Sequence, residues 1–431
     1  MNFKITGGQK LAGMVTVNRS KNAAVALLCA SLINKGKTTL KNVPKIEEVF
    51  RVIEAIESIG VKVTWNGQNV EIVPPAKLVW QKLNQEAATK TRSVILLLGP
   101  LIHHFPSFKL PHPGGCKLGA RTVRPHLYAL EKLGVKVISK VGFYEVSAPK
   151  LKAKEIILYE AGDTVTENAL VAASLIPGKT VIKYASANYM VQDLCHYLEL
   201  LGVEIDGIGS STLTVHGVKD INQEVEFELS EDPIEAMLFL SLAATTGSAI
   251  TIKRCPIDFL ELELLKLEKM GFKYKITNRY KGDNGFVNLV DIETRASKLK
   301  ALEEKIHPLP YPGINIDNLP FFVPIATQAK GTTLIHDWVY ENRAIYYYEM
   351  AKLGANVLLA DPHRVVIEGP TPLRATEVVC PPALRPAAII LIGMLAARGE
   401  SMLRNVYSIN RGYENLVERL TELGAKISIV E

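Results

Sequence analysis

One pattern of residues recurs six times along the 431-residue chain and limits what the chain can fold into. Each copy has an amphipathic helical pattern that ends with an apolar residue and a glycine, and an alternating, strand-like run follows. The glycine fits the left-handed C-cap of a helix. The copies recur at roughly 70-residue intervals, which is typical of a chain built from one repeated supersecondary unit. The six glycines are Gly60, Gly134, Gly202, Gly271, Gly354 and Gly424.

A second, more apolar helix precedes each amphipathic helix. It often ends at a glycine, and a short strand such as 38–40, 180–182 or 332–334 follows it. The unit therefore reads helix, strand, helix and two strands. A helix that is apolar nearly all round must be buried, so we expect these helices inside each domain, with the amphipathic helices and the sheets around them. The apolar helices are predicted at 21–35, 92–103, 166–177, 233–246, 317–330 and 384–398.

The repeats also predict an α/β domain organisation. The sixth copy ends short of its last strand, and the strand-like segments 2–6 and 14–17 could complete it. Three copies then form one lobe over 21–228, and the other three form a second lobe from 1–20 and 229–431. Because the chain would cross between the lobes twice, we expect a two-strand hinge and an active site in a cleft that opens and closes.

Composition excludes several classes of protein. The net charge of +6 suits an anionic small substrate, and no basic stripe interleaved with aromatic residues indicates nucleic-acid binding. The longest apolar runs, such as 387–397, are too short to span a bilayer, and the N-terminus lacks a signal-peptide core. The sparse cysteines include no CxxC pair, which indicates free thiols in a reducing compartment and therefore a cytoplasmic protein. They are Cys29, Cys116, Cys195, Cys255 and Cys380.

The stretch 113–121 combines glycines with one thiol and is a candidate functional loop. Three of its glycines fall within six residues, so its backbone can approach a ligand closely. Lys117 and Arg121 flank Cys116, and cations favour a thiolate or orient a proton donor. The stretch alone is compatible with a reactive-cysteine loop and equally with a glycine-rich surface turn that carries an incidental cysteine.

Cations occupy the first turns of three predicted buried helices. Lys21 follows Ser20, Arg92 follows Thr91, and Arg385 lies in the first turn of the sixth helix. A helix N-terminus carries unsatisfied N–H groups and the positive end of the helix dipole, so a cation there is unfavourable unless an anion binds. A single such cation is common on surfaces, but three in repeated units indicate an anion site between the lobes.

Two further polar residues accompany these helix starts. Asp317 is expected to cap the fifth helix, and capping alone would account for an aspartate there. Arg411 lies between a strand and a helix, where the repeat geometry predicts a position near the same cleft. The nine histidines show no metal-ligand spacing, and we expect no required metal.

Taken together, several motifs resemble those of the enolpyruvyl transferases over essentially the whole length of the chain. The family fold is a pair of inside-out α/β barrels, each built from three βαβαββ units, and the repeat pattern agrees with it. The motifs are specific as a set, although no single one would be. They are Ser20-Lys21-Asn22-Ala23-Ala24, Asn42-Val43-Pro44-Lys45, Pro113-Gly114-Gly115-Cys116, Gly119-Ala120-Arg121, Ala326-Thr327-Gln328-Ala329, Glu341-Asn342-Arg343 and Arg411-Gly412-Tyr413-Glu414.

The resemblance implies transfer of the enolpyruvyl group of phosphoenolpyruvate to the 3′-hydroxyl of UDP-N-acetylglucosamine, with release of phosphate. This is the first committed step of peptidoglycan synthesis, and it implies no cofactor. Cys116 would deliver a proton to the methylene carbon of phosphoenolpyruvate, could form a covalent adduct with it, and would be alkylated by fosfomycin. Asp317 is the best-placed carboxylate to act as the base for the sugar hydroxyl.

Further roles follow from the same resemblance. Because phosphoenolpyruvate carries a phosphate and a carboxylate, a cationic clamp is a sensible match to its charge. The clamp would consist of Lys21, Arg121, Arg385 and Arg411, with Lys21 and Arg411 also taking part in catalysis. The acceptor would contact Asn22, Arg92, Asp317, the backbone of Val339, and the segment Thr122, Val123, Arg124 and Pro125, which stands where the family contacts the uracil ring.

The chain departs from the family pattern at its nucleotide end and at one carboxylate. The segment 122–125 replaces the usual Pro-Val/Ile-Asp-Leu, and Asp163 stands in the turn that cradles the diphosphate, where it would repel phosphate unless turned away. Ala383 replaces a usual acidic residue, and Pro233 replaces a usual arginine. These departures leave open a different sugar or nucleotide acceptor, or a non-catalytic relative that binds substrate.

The shikimate-pathway branch fits less well, because the Cys116 loop is not part of its pattern. As partners we expect phosphoenolpyruvate and a UDP-sugar, with no nucleic acid and no membrane. The protein is expected to be a monomer or a weak homo-oligomer.

Overall fold

The computed structural model describes residues 1–114 and 122–431. Within these ranges the chain divides into two compact α/β units. One contains residues 1–18 and 231–431, and the other contains 19–114 and 122–230. Each unit has three sheets formed by the described residues, and none of these sheets closes on itself. No helix in the described ranges combines the length and the apolar character needed to cross a bilayer.

The elements follow the predicted repeat. The N-terminus forms strands β1 (Asn2–Gly7) and β2 (Ala12–Thr16). Residues 19–230 then form α1 (Lys21–Ala30), β3 (Thr38–Lys41), α2 (Glu47–Ser58), β4 (Lys62–Asn66), β5 (Asn69–Val73), α3 (Gln85–Lys90), α4 (Leu98–His104), β6 (Ser107–Pro111), α5 (Arg124–Lys132), β7 (Lys136–Ser139), β8 (Phe143–Ser147), β9 (Glu155–Ile157), α6 (Asp163–Ser174), β10 (Gly178–Lys183), α7 (Tyr189–Leu200), β11 (Glu204–Asp206), β12 (Thr212–Gly217) and β13 (Val225–Glu228), with 3-10 helices at Ser31–Ile33, Trp80–Lys82 and Arg92–Leu97.

The remaining residues repeat this order. They form α8 (Pro233–Thr246), β14 (Ala249–Pro256), α9 (Glu261–Lys269), β15 (Lys273–Lys281), β16 (Asn288–Arg295), α10 (Phe322–Ala326), β17 (Gly331–His336), β18 (Asn356–Asp361), β19 (Arg364–Gly369), β20 (Glu377–Val379), α11 (Leu384–Ala396), β21 (Gly399–Arg404), α12 (Tyr407–Asn410), α13 (Leu416–Glu422) and β22 (Lys426–Val430), with 3-10 helices at Ile257–Phe259, Leu319–Phe321 and Ala344–Leu353.

In the unit of residues 19–230, one copy shows the complete βαβαββ repeat. It runs β9, α6, β10, α7, β11 and β12, and its sheet has the order β11-β12-β10-β9. Ile182 of β10 pairs with Ile156 of the parallel β9 and with Leu213 of the antiparallel β12, and all three side chains are buried. The other sheets have the orders β13-β3-β5-β4 and β6-β8-β7. The last strand, β13, therefore supplies the parallel edge strand of the first copy.

In the other unit the N-terminal strands divide between two sheets. Strand β1 pairs antiparallel with β21 and β22, so it completes the sixth copy as expected for residues 2–6. The expectation that residues 14–17 complete the same copy is wrong, because β2 pairs parallel with β14 of the fourth copy. In the sheet of the sixth copy, the place between β21 and β22 is already filled by β1. Strand β2 instead forms the edge strand next to β14, just as β13 forms the edge strand next to β3 in the unit of residues 19–230. The third sheet has the order β17-β19-β18.

Apolar helices form the core of each unit, as the repeat pattern predicts. Helix α1, α6 and the segment 92–104 pack against one another in one unit, and α8, α10 and α11 do so in the other. Every residue of α8 is buried, because this helix has no polar face. Three of the predicted long helices are shorter or change to 3-10 geometry, namely 21–35, 92–103 and 317–330, and the last two contain proline. Proline lacks the N–H that an α-helix needs, and Pro100, Pro320 and Pro324 lie in these segments.

Candidate active site

Lys21 lies in the first turn of α1, in a network of polar contacts. The hydroxyl of Ser20 caps the helix by accepting from the backbone N–H of Ala23 at 3.1 Å. The Lys21 ammonium donates to Asn22 Oδ1 at 2.7 Å and to Glu48 Oε2 at 2.9 Å. Only 11% of the Lys21 side chain is exposed. The carboxylate and the amide therefore fix the direction of a cation that would otherwise be mobile.

Asn22 has a second partner that the sequence did not indicate. Its amide nitrogen donates to the hydroxyl of Tyr189 at 3.4 Å, and Ser20 donates to the same hydroxyl at 3.2 Å. Tyr189 is buried at the start of α7. Because one end of the Asn22 amide contacts Lys21 and the other contacts Tyr189, the orientation of the amide is set by the protein. No local pattern could identify Tyr189, which lies in another repeat.

Glu48 connects Lys21 with the turn that carries Arg92. Its Oε1 accepts from Ser93 Oγ at 2.8 Å and from Thr91 Oγ1 at 3.3 Å. Thr91 in turn caps the 3-10 helix by accepting from the Ser93 backbone N–H. Arg92 is half-buried, and its Nη2 donates to the Thr122 carbonyl at 3.2 Å. Nothing in the local sequence distinguishes Glu48, which is one of several acidic residues on an amphipathic helix.

The segment 122–125 forms the start of α5. Thr122 Oγ1 accepts from the backbone N–H of Arg124 at 3.1 Å, and Pro125 occupies the first turn, where its missing N–H has no cost. Val123 and Pro125 are buried, whereas Thr122 and Arg124 are exposed. Only the two exposed side chains of this predicted uracil segment are therefore available to a ligand. Cys116 and Arg121 lie outside the described residues.

Asp163 occupies the first turn of α6, and its carboxylate is held by neighbouring polar groups. Oδ1 accepts from Ser186 Oγ at 2.6 Å, and Oδ2 accepts from Asn188 Nδ2 at 3.3 Å. A carboxylate at a helix N-terminus is stabilised by the helix dipole. Asp163 thus supplies a negative charge at a position where a phosphate would otherwise be stabilised.

In the other unit, Asp317 faces two arginines and does not cap a helix. The predicted N-cap is wrong: the 3-10 helix begins at Leu319 after Asn318, and the Asp317 backbone N–H donates to Asn315 Oδ1 at 2.8 Å. Its Oδ1 lies 3.4 Å from Arg343 Nη1, and its Oδ2 lies 3.4 Å from Arg385 Nη2. The carboxylate is thus turned towards one cation of its own repeat, Arg343, and one of the sixth repeat, Arg385.

Arg385 is buried in the first turn of α11, as predicted. Its Nη1 donates to the Tyr413 hydroxyl at 2.5 Å, and its guanidinium lies 5.2 Å from the centre of that ring. Burial raises the pKa of the Tyr413 hydroxyl, so Tyr413 stays neutral. The residue before the helix is Ala383, which provides no side-chain cap. Asp317 and Tyr413 therefore both orient this arginine.

Arg343 lies beside Asp317, and the sequence indicated only the motif that contains it and no role. It is 1% exposed, and its Nε and Nη2 donate to the two oxygens of buried Asp337 at 2.5 and 3.1 Å. Nη2 also donates to the Ile316 carbonyl at 2.7 Å, directly before Asp317. The Tyr347 hydroxyl donates to the same Asp337 carboxylate at 2.5 Å. The buried side chains of Arg343, Asp337 and Tyr347 therefore hold the backbone next to Asp317 in place.

Arg411 and Val339 lie on irregular segments of the same unit. Arg411 follows the short helix α12 and is half-buried. The next residue, Gly412, lies against the start of α11, because a Cβ on it would come within 2.2 Å of Leu384 Cδ2. The backbone after Arg411 is therefore next to the turn that carries Arg385. Val339 is 43% exposed after β17, and its neighbour Trp338 donates to the Pro308 carbonyl.

The cysteines of the described ranges are not suited to reactivity. Cys29, Cys195, Cys255 and Cys380 are free and buried. Burial raises the pKa of each thiol, and that of Cys380 reaches about 12. A neutral buried thiol is a poor nucleophile. A role for Cys116 therefore rests on its sequence context.

One group of potential metal ligands forms among the described residues. Glu204, Asp206 and His216 bring one ligand atom each within 4.8 Å of one another. Residues 204 and 216 become neighbours only through the register of β11 and β12, which the spacing in sequence does not reveal. Both carboxylates are exposed, and exposed acidic groups are common without an ion. We assign no function to this group.

Comparison with known proteins identifies the class of protein. Residues 5–420 match the sequence model of the family described as EPSP synthase (3-phosphoshikimate 1-carboxyvinyltransferase). The chain therefore belongs to this family of enolpyruvyl transferases, and the resemblance found in the sequence is confirmed. The fold agrees: an enolpyruvyl transferase, NikO, from Streptomyces tendae has a TM-score of 0.84 at 22% identity, covering 99% of this chain and 98% of that chain.

Several curated relatives of this chain share the name of one particular enolpyruvyl transferase. A UDP-N-acetylglucosamine 1-carboxyvinyltransferase from Treponema denticola is 36% identical over 432 residues, covering 100% of this chain and 99% of its own length. The protein of the same name from Wolinella succinogenes is 36% identical over 427 residues, covering 99% and 98%. An EPSP synthase from Acinetobacter baumannii shares the fold with a TM-score of 0.78 at 18% identity, covering both chains in full.

Proposed function

We propose that this chain transfers the enolpyruvyl group of phosphoenolpyruvate to the 3′-hydroxyl of UDP-N-acetylglucosamine and releases phosphate. Full-length similarity to curated UDP-N-acetylglucosamine 1-carboxyvinyltransferases supports this reaction. The structural observation that carries it is Asp317, whose carboxylate is held between Arg343 and Arg385 and not used as a helix cap. A carboxylate fixed in this way is available as a base, and arginine in its vicinity suits an anionic substrate.

The chemistry assigns a role to each group. Cys116 donates a proton to the methylene carbon, and positive charge develops at the central carbon, which the sugar hydroxyl attacks while Asp317 accepts its proton. Loss of phosphate and of a proton from the new methyl group then restores the double bond. Lys21, Arg121, Arg385 and Arg411 neutralise the phosphate and the carboxylate. The polar groups of Asn22 and Arg92 and the backbone of Val339 bind the acceptor.

The same proposal assigns the protein to the first committed step of peptidoglycan synthesis, in the cytoplasm, with Cys116 as the residue that fosfomycin alkylates. The free thiols of the described cysteines support a reducing compartment. The proposal requires no metal and no cofactor, and a single chain carries all the assigned residues. A monomer or weak homo-oligomer remains our expectation.

The direct test is phosphate release from phosphoenolpyruvate with UDP-N-acetylglucosamine. Release should require both substrates, and Cys116→Ala and Asp317→Asn should each reduce it by about 100-fold or more, as expected for loss of a general acid or base. Cys195→Ala, which removes a buried thiol of α7, is the matched control and should retain activity. Absence of release from the wild-type protein, with phosphoenolpyruvate still bound, would overturn the proposed acceptor.

A different nucleotide-sugar acceptor is the second candidate. Asp163 supports it, because its carboxylate occupies the first turn of α6, where it opposes a diphosphate. The exposed Arg124 in the segment 122–125 also differs from the family pattern. The same assay with other nucleotide sugars distinguishes the acceptors, since the true one should give the highest kcat/KM. A non-catalytic relative would bind substrate and release no phosphate with any of them.

A further inference from the structure

Glu48 has contacts that its position on α2 does not require. It is the second residue of α2, and only 15% of its side chain is exposed. Its two oxygens accept from three side chains of the first and second repeats, namely Lys21 at 2.9 Å, Ser93 at 2.8 Å and Thr91 at 3.3 Å. The adjacent Glu47 instead forms an ion pair along its own helix with Arg51 at 3.0 Å. One carboxylate thus links two of the cation-bearing helix starts.

We infer that Glu48 is a positioning residue for the anionic substrate: it fixes the Lys21 ammonium and the turn before Arg92 relative to each other. This inference rests on the proposed function, in which Lys21 contacts phosphoenolpyruvate and Arg92 contacts the acceptor. Glu48 itself reaches the substrate only through these cations. It is therefore not a catalytic residue.

The support of Glu48 is rigid. Helix α2 buries Val49, Val52, Ile53 and Ile56 and packs against α1, the helix that carries Lys21. A carboxylate in the first turn of a helix is stabilised by the helix dipole. A side chain held on such an element positions its partners more accurately than one on a loop. The distance between Glu48 and Lys21 is therefore set by the packing of two helices.

The hydrogen-bonding capacity of Lys21 determines what this positioning achieves. An ammonium has three N–H donors, and two of them have acceptors among the described residues, Asn22 Oδ1 and Glu48 Oε2. With two donors fixed, the direction of the third is also fixed. A lysine side chain otherwise has many rotamers, and ordering it on binding would weaken the contact. Glu48 orders Lys21 before the substrate arrives.

The negative charge of Glu48 opposes the binding of an anion, whereas its positioning of Lys21 favours it. This opposition makes the inference testable. A negative charge beside Lys21 also repels an incoming phosphate. If repulsion dominated, removing the charge would tighten phosphoenolpyruvate binding. If positioning dominates, as we infer, removing the charge lowers kcat/KM for phosphoenolpyruvate, although the site becomes less repulsive to an anion. The two effects predict opposite changes in kcat/KM.

The experiment compares Glu48→Gln, Glu48→Asp and the matched control Glu47→Gln. We expect Glu48→Gln to lower kcat/KM for phosphoenolpyruvate by about 10- to 100-fold, a typical cost of a misplaced catalytic group, with a smaller change in KM for UDP-N-acetylglucosamine. Glu48→Asp keeps the charge and should recover part of the loss. Glu47→Gln should behave as wild type. A kcat/KM for phosphoenolpyruvate in Glu48→Gln equal to or above wild type would overturn the inference.

Two further measurements keep the test independent of folding and of turnover. Ser93→Ala retains the Glu48 charge and removes one of its donors, so it should show a smaller loss in the same direction even if Glu48→Gln proves unstable. Calorimetric titration with phosphoenolpyruvate measures the affinity directly. If the wild type binds phosphoenolpyruvate but turns over no acceptor, the proposed function fails. In that case weaker binding by Glu48→Gln still supports the inference, and unchanged or tighter binding overturns it.

Discussion

At the scale of single residues, Asp193 is a buried carboxyl group outside the proposed chemistry. It lies on α7 with no exposed surface and accepts from the backbone N–H of Ser230 at 3.0 Å and from the Ser230 hydroxyl. Burial raises its pKa from 3.8 to about 7, although Ser230 and Arg19 act to lower it. Ser230 is the last residue of the unit that begins at Arg19. Asp193 therefore anchors the end of that unit.

The raised pKa predicts how stability depends on pH. Between about pH 4 and pH 7 the native Asp193 retains a proton that the unfolded chain has released, so the free energy of unfolding falls as pH rises through this window. Above pH 7 its contribution changes no further. Burial also raises the pKa of Glu167 and Glu263, which adds to the same trend.

Asp193→Asn should remove part of this dependence. We expect the free energy of unfolding, measured by urea denaturation between about pH 5 and pH 8, to fall less steeply with pH than in the wild type. Asp206→Asn is a suitable control, because 64% of the Asp206 side chain is exposed. Equal slopes for Asp193→Asn and the wild type would contradict the assignment.

The buried pair of Arg343 and Asp337 leads to a second prediction. Their side chains are 1% and 0% exposed, so removing one partner leaves an unpaired buried charge. We expect Arg343→Met to cost about 3–5 kcal/mol of stability and Arg364→Met, in an exposed pair with Asp361, to cost about 1 kcal/mol or less. Chemical denaturation measures both. A double variant Arg343→Met with Asp337→Leu should recover much of the loss, and its failure to do so would indicate that packing, not charge, dominates.

The candidate site could be predicted only where local sequence marks it. Lys21 and Arg385 are recognisable because each is a cation in the first turn of an apolar helix. Glu48 and Arg343 are not, because their partners Lys21 and Asp317 lie in other elements of the chain. For Asp317 the sequence predicts both a helix cap and a base, and the structure contradicts only the cap. A single sequence carries the helical period but not the contacts between separate elements of the fold.

At the scale of elements, the repeat pattern predicted the order of helices and strands, and proline changed their geometry. The segment 92–103 is predicted to be one helix, but the structure begins it with the 3-10 helix Arg92–Leu97 before α4. The partner of a strand was harder to predict than the strand itself. Residues 2–6 and 14–17 both alternate, and only the finished sheets distinguish the antiparallel place of β1 from the parallel place of β2.

The central position of β1 in its sheet gives the third prediction. Ile5 is fully buried and pairs with Ser401 and Ile427 on the two neighbouring strands. We expect Ile5→Ala to cost about 2–5 kcal/mol and to increase hydrogen exchange in β21 and β22. Lys4→Ala alters the opposite face, where Lys4 pairs with Glu400 at the surface, and should leave exchange unchanged. Similar exchange in the two variants would show that β1 does not hold this sheet together.

At the scale of the whole molecule, the two units differ in how the chain builds them. The described residues of one unit, 19–114 and 122–230, all lie between the two parts of the chain that form the other unit, residues 1–18 and 231–431. The unit of residues 19–114 and 122–230 has its own set of packed apolar helices. It also contains the three partners of Glu48 described above, Lys21, Thr91 and Ser93. Its stability therefore depends on contacts within one stretch of chain.

We therefore expect residues 19–230 to fold when expressed alone, because a stretch of this size can bury a sufficient core. Circular dichroism and cooperative thermal unfolding would measure this. The matched control is 19–222, which lacks β13, the parallel partner of β3, and loses the contact of Ser230 with Asp193. Strand β13 is the last strand of the unit and completes the sheet of the first repeat. The fragment 19–222 should therefore unfold at a lower temperature than 19–230. Equal melting temperatures for the two fragments would mean that the repeats, and not the closing strand, determine the stability of the unit.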